Sequence, residues 1–158
     1  MKRTAEAKRG VGEAMPRERV IAIADFRSAL RRFLRHSERI ADRHGLTPQR
    51  HLLLLMIKGA PDGSERLSVG AIADRMQLGE NTTTELVNRA EKAGLVQRER
   101  SSDDGRVVYL RLTKTGERRL GGVLGELEAD REELEQALLS LTRSFQQTAP
   151  PRTASPAE

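Results

Sequence analysis

The chain has 158 residues, with 28 Lys or Arg against 23 Asp or Glu, and a net charge of +5 with its three His neutral. That length holds one domain, with or without tails, and a hydrophobic content of 37% suffices for a compact core if the ends stay outside it. The absence of Cys excludes a disulfide framework, thiolate ligation of zinc or an iron–sulfur cluster, and thiol redox sensing.

Residues 1–17 are basic and lack apolar periodicity, so a disordered tail is expected there. This start has no hydrophobic signal core, and no apolar run nears the ~20 residues of a membrane span. A cytoplasmic protein with no membrane partner is expected. From 18 to 44 the apolar residues Ile23, Phe26, Leu30, Phe33 and Ile40 follow spacings of three and four, with Ser37 in the one polar gap. That spacing predicts a helix with a single apolar stripe. The Arg residues at 27, 31, 32, 35, 39 and 43 lie mostly off it.

Gly45 ends this helix, and Thr47-Pro48 starts the next, Thr as cap and Pro in the first turn. The run 52–57 is too apolar for a surface helix and is expected to be buried; Gly59 and APDGSE close it. Ser68 caps a short third helix with Val69, Ile72, Ala73 and Met76 inward. After Gln77-Leu78-Gly79 a fourth helix spans 80–93, with Leu86, Val87 and Ala90 inward and Gly94 as its stop. Stretches 95–100 and 106–112 read as strands joined by SSDDG, whose Asp-Gly is a hairpin signal. Thr113 caps a last helix reaching Ser144, with Leu120, Val123, Leu124, Leu127, Leu134, Leu138 and Leu141 along it. Gly121, Gly122 and Gly125 weaken its start and allow close helix approach or a bend. Residues 146–158 are rich in Pro, Ala, Ser and Thr and read as a second disordered tail. There is no internal repeat.

The expected fold class is mainly α with a small β-hairpin (α+β). Two short helices joined by a tight turn and followed by a hairpin form a winged helix-turn-helix pattern. At about 100° per residue, Asn81, Thr82, Glu85, Asn88, Arg89 and Lys92 face away from Leu86 and Ala90, with Thr84 at the margin and Thr83 inward. Asn can pair bidentately with adenine; Thr can meet base edges, a thymine methyl or phosphate. Free N–H groups at a helix start also suit phosphate. Equally, Asn and Thr at a helix start often serve only as caps. Arg98, Arg100 and Arg106 give the hairpin cations for a nucleic-acid backbone or minor groove, and Asp104 is placed to pair with Arg106. Residues 68–119 hold ten basic and eight acidic side chains, so placement rather than bulk charge has to carry binding.

The stretches GLTPQRHLLLL, LSVGAIADRMQL and NTTTELVNRAEKAGLVQRERSSDDGRVVYLRLTKTGERRL resemble the MarR family of bacterial transcriptional regulators over roughly residues 20–145. The resemblance implies a homodimer built on the first and last helices, a palindromic operator, usually repression, and often relief by a small anionic or phenolic effector. Helix 79–93 then matches the family's recognition helix. Asn81, Thr82, Thr84 and Glu85 match base-contacting positions, and Asp104 and Arg106 match the wing's D-x-R pair. Ser68, Asn88, Arg89, Arg98 and Arg100 complete the expected DNA-binding set. Three positions depart from the family pattern: Gly79 replaces a Ser or Thr cap, Glu85 stands where Arg is frequent, and Gly105 replaces a wing Arg. A cytosine amino group suits Glu85. The domain reading is a MarR-type unit over 18–145, with dimerisation helices 18–46 and 114–145 flanking a winged core at 47–113.

The dimer expectation also stands on the residues. Ile23, Phe26 and Leu30 on the first helix, with Leu127, Leu134, Leu138 and Leu141 on the last, would be exposed stripes without a partner. Residues 17–60 carry ten basic and four acidic groups, and residues 120–145 six acidic and two basic, so the two helices attract. His51 is placed near the cleft where family effectors bind and is the candidate ligand group for an effector of unidentified class. His36 and His44, eight apart on one helix face near Glu38 and Asp42, could be imagined as metal ligands, but solvated or hydrogen-bonded histidines are the commoner case and no metal or cofactor is expected. An enzyme is not expected: G-x-S-x-G, P-loop, G-x-G-x-x-G and HExxH motifs are all absent. The three Phe and one Tyr are too few for a single-strand stacking platform. The alternative from another class is a winged helix that contacts protein. It would carry apolar or aromatic anchors on the outer face of the fourth helix, and that face has none.

Overall fold

The computed structural model describes residues 15–102 and 104–146, so the tail readings over 1–14 and 147–158 lie outside the described residues. The elements are α1 (Arg17–Arg43), α2 (Pro48–Lys58), β1 (Arg66–Ser68), α3 (Val69–Met76), α4 (Glu80–Lys92), β2 (Val96–Arg100), β3 (Val108–Leu112), α5 (Lys114–Glu126) and α6 (Glu128–Gln146).

Hydroxyl caps set three of the helix starts. Thr47 Oγ1 accepts from the Arg50 N–H at 3.3 Å, Ser68 Oγ from Ala71 at 3.2 Å and Thr113 Oγ1 from Gly116 at 3.1 Å. Each satisfies an amide that the first helical turn leaves without a backbone partner. Gly94 adopts φ +69 just past α4, a left-handed conformation that costs a residue without Cβ nothing.

Residues 32–132 form one compact unit with a continuous core. Leu53, Leu54 and Ile57 of α2, Ile72 of α3, Val87 and Ala90 of α4, Leu110 of β3 and Val123 of α5 are all fully buried there. The run at 52–57 is thus largely interior, although Leu52 itself stays exposed. The predicted hairpin gains a third strand. The sheet is antiparallel in the order β1-β3-β2, with Leu67 opposite Leu110 and Arg98 opposite Leu110 on the other side. Strand β1 lies within a segment read only as turn and cap. Three residues carry too little alternation to announce a strand, which exists here because β3 offers it a free edge.

The last helix departs from expectation. It breaks at Leu127 into α5 and α6. Leu127, assigned from sequence to the dimer stripe, is 2% exposed and completes the core of its own unit with Leu120 and Val123. A single long apolar stripe thus hides two roles, Leu127 continuing the buried face of Leu120 and Val123 while Leu138 is exposed. Gly122 accounts for one close approach: a Cβ there would stand 2.3 Å from the His44 ring.

The second unit comprises the described residues up to Arg31 and from Glu133. Within it the Arg19 Nε donates to the Ser144 carbonyl at 3.4 Å, and its guanidinium lies 4.8 Å over the Phe145 ring. Ile23, Phe26, Leu30, Leu134 and Leu141 are half-buried, while Val20, Ile21, Leu138, Leu139 and Phe145 are exposed. Leu127→Ala should lower the unfolding free energy by about 2–5 kcal/mol, the range for truncating a buried leucine. A urea titration reads this, and a loss under about 1 kcal/mol would remove Leu127 from the core.

Candidate nucleic-acid interface

Helix α4 has one rotational setting. Thr83, Leu86, Val87 and Ala90 are buried, and the Thr83 hydroxyl donates to the Gly79 carbonyl at 3.0 Å. Gly79 occupies the N-cap without a side-chain cap, so that hydroxyl reinforces the helix start from inside. The opposite face is solvent-exposed and consists of Asn81, Thr82, Thr84, Glu85, Asn88, Arg89 and Lys92. Six of these are the residues predicted to face outward, and Thr84, placed at the margin from sequence, joins them. Glu80 in the first turn and Lys92 in the last complement the helix dipole.

Several predicted cations are already engaged. Arg89 donates through Nε to the Glu85 carbonyl at 3.3 Å and its Nη2 lies 3.9 Å from the Glu85 carboxylate. Arg98 reaches back from β2 onto α4: Nε donates to Glu91 Oε2 at 3.0 Å and Nη2 to Asn88 Oδ1 at 2.8 Å. Ser68 is half-buried and its hydroxyl caps α3. At the wing, Arg100, Asp104 and Arg106 are exposed. The Asp104 carboxylate accepts from the backbone N–H of Arg106 at 3.0 Å, where sequence had suggested its guanidinium. A tight turn offers that amide within two residues, at less conformational cost than holding a long side chain. Sequence reasoning missed Arg50, whose Nη2 donates to the Arg89 carbonyl at 3.5 Å and ties the start of α2 to α4. Nothing in local spacing could have paired residues 39 apart.

His51 lies on the edge of a cavity of about 410 Å³ within the 32–132 unit. Phe33, Leu34, Leu52, Leu55, Met76 and Leu78 supply its apolar walls, with Ser37, Glu38 and Arg131 as polar members. His51 is itself buried, and its Nε2 has no hydrogen-bond partner among the described residues. Burial disfavours the imidazolium and holds its pKa below the ordinary histidine value. His36 and His44 do not converge: His36 Nδ1 pairs with Asp130 at 2.6 Å and His44 Nε2 with Glu126 at 2.6 Å. Glu126 also takes Arg43 at 2.5 Å, and these two partners lower its pKa, Arg43 first. No group of three or more metal-ligating side chains gathers among the described residues.

Residues 44–107 match the model of the MarR family. An uncharacterized HTH-type transcriptional regulator of Bacillus subtilis, YsmB, is 29% identical over 100 residues, covering 61% of this chain and 66% of that protein, a little under two thirds of its length. Among solved structures, a MarR family protein from Bacillus stearothermophilus is 26% identical, with a TM-score of 0.64 over 85% of this chain and 95% of that one. A single-residue mutant of MepR from S. aureus, bound to an oligodeoxyribonucleotide, shares the fold at 18% identity, with a TM-score of 0.59 over 78% of this chain and 95% of its own. No helix of the described residues is long and apolar enough to cross a membrane.

The depressed His51 pKa has a signed consequence. Its contribution to stability is fully present above the ordinary value of 6.5 and is lost as pH falls below it towards the lower folded-state value, because protonation then favours the unfolded chain. Urea midpoints measured between about pH 7 and pH 5 should fall less steeply for His51→Gln than for the wild type. Parallel curves would mean that the ring is not desolvated.

Proposed function

We propose that this chain is a transcription regulator of the MarR type, a homodimeric repressor of a palindromic operator that responds to a small molecule in the cytoplasm. The observation that carries the reading is the outer face of α4: exposed side chains, all polar or charged, held outward by four buried residues beneath them. A protein-docking face would carry an apolar or aromatic anchor. This one offers amides, hydroxyls and charges, the groups that meet base edges and phosphates.

In the proposed complex α4 enters the major groove, with Asn81, Thr82, Thr84 and Glu85 towards the bases. Arg106 at the wing reaches the minor groove or its flanking phosphates, with Arg100 beside it. The turn that Asp104 braces supports Arg106 for this role. Two copies are needed to read an inverted repeat, and the exposed Leu138 with half-buried Ile23, Phe26, Leu30, Leu134 and Leu141 are the side chains we assign to that pairing. The cavity beside His51 is our candidate effector site. Its apolar walls favour an apolar body, and the unpartnered Nε2 and Arg131 favour one polar or anionic end.

Selection from a random duplex pool at about 150 mM salt tests the reading. Enrichment of an inverted repeat with half-sites about one helical turn apart is the expected result. On that operator, Asn81→Ala and Thr82→Ala should weaken specific binding more than random-duplex binding. Arg106→Ala should weaken both and lower the salt slope by about one per subunit. Failure to enrich any sequence, with or without candidate effectors, would overturn the operator and leave a protein partner for the winged helix.

A further inference from the structure

The geometry points to Arg98 as a positioning residue that orients Asn88 on the recognition helix and locks the wing to it, rather than as a contact to the DNA phosphates. The inference rests on the proposed reading of α4 and concerns how that helix is set.

Alternation along β2 puts Val96 and Arg98 on the same face of the sheet. Val96 is 2% exposed, and Arg98 stands opposite the fully buried Leu110, so this is the face turned to the helices. The Arg98 side chain therefore leaves the sheet towards α4. It meets Asn88 and Glu91, which lie three apart and share one helical face. Nε–H donates to Glu91 Oε2 at 3.0 Å and Nη2–H to Asn88 Oδ1 at 2.8 Å.

The pair of Arg98 with Glu91 is neutral as a unit, so it displaces no net counterion when a phosphate approaches, and a carboxylate held at 3.0 Å opposes an approaching anion. With Oδ1 turned to Arg98, the Asn88 amide presents its NH2 group outward. Asn88 then offers donors to a base or phosphate acceptor, and not the donor-and-acceptor pair that reads adenine. A guanidinium is suited to this clasp because its planar fork reaches two acceptors at fixed angles, whereas an ammonium is a single point of charge.

The test uses the full chain, the selected operator and a random duplex, with Kd measured by fluorescence anisotropy over a salt series. Thermal unfolding of each variant confirms folding. Arg98→Lys keeps the charge and removes the fork, so it should bind the operator as poorly as Arg98→Ala, with a loss of roughly fivefold or more. Neither should alter the salt slope. In an Asn88→Ala background the Arg98→Ala loss should shrink, since the two act through one contact. Glu91→Ala should weaken operator binding or leave it unchanged. The opposite set overturns the inference: Arg98→Lys like the wild type, a slope lower by about one per subunit in Arg98→Ala on both duplexes, and tighter binding by Glu91→Ala as a cation is freed. A wild-type chain that binds neither duplex would overturn the DNA reading itself, and this inference with it.

Discussion

The setting of α4 about its own axis is the constraint on which the rest depends. Thr83, Leu86, Val87 and Ala90 must leave water together, and a helix can bury only one stripe against a flat core. Once that stripe is committed, the outward residues have no choice of direction. The buried Thr83 hydroxyl would be costly without a partner, and the Gly79 carbonyl supplies one at 3.0 Å. Rotation of the helix would carry that local bond with it but would expose Leu86, Val87 and Ala90 to water, so the apolar stripe sets the direction. The core of the 32–132 unit thus acts as the mount for the proposed reading surface.

Electrostatics work by position. The chain is only modestly basic, and several of its cations are paired among the described residues. Arg43 and His44 share Glu126, Lys58 bridges Glu65 and Glu117, and Arg66 and Arg111 both reach Glu99. These pairs are largely solvent-exposed, so each adds little to stability. Their larger effect is to decide which cations are committed. Arg98, Arg100 and Arg106 are all solvent-exposed, but Arg98 is bonded to Asn88 and Glu91 of α4, so the hairpin's arginines differ in their partners rather than in their exposure.

The helices were legible because their signals are local. Thr47-Pro48, Ser68 and Thr113 announce helix starts within three residues, and the structure shows each hydroxyl capping where expected. The inward turn of Thr83 follows from helical spacing alone. The third strand was hidden because β1 is three residues long and acquires meaning only from β3, more than forty residues later. The Arg98 clasp was hidden too. Three arginines in a hairpin look alike in sequence, and only packing of the sheet against α4 separates Arg98 from its neighbours.

Leu127 marks the boundary between the two kinds of information. Its spacing fits the stripe of the last helix as well as that of Leu134 or Leu141, since periodicity reports which residues share a face and not what covers it. Leu127, where α5 ends, is buried with Leu120 and Val123, while Leu138 of α6 is exposed. Sequence by itself determined the helical order, the caps, the hairpin and the polar outer face of α4, all of which depend on neighbours within a turn or two. Tertiary structure decided the third strand, the break in the last helix and the partner of each arginine, because these depend on groups that only folding brings within hydrogen-bonding distance.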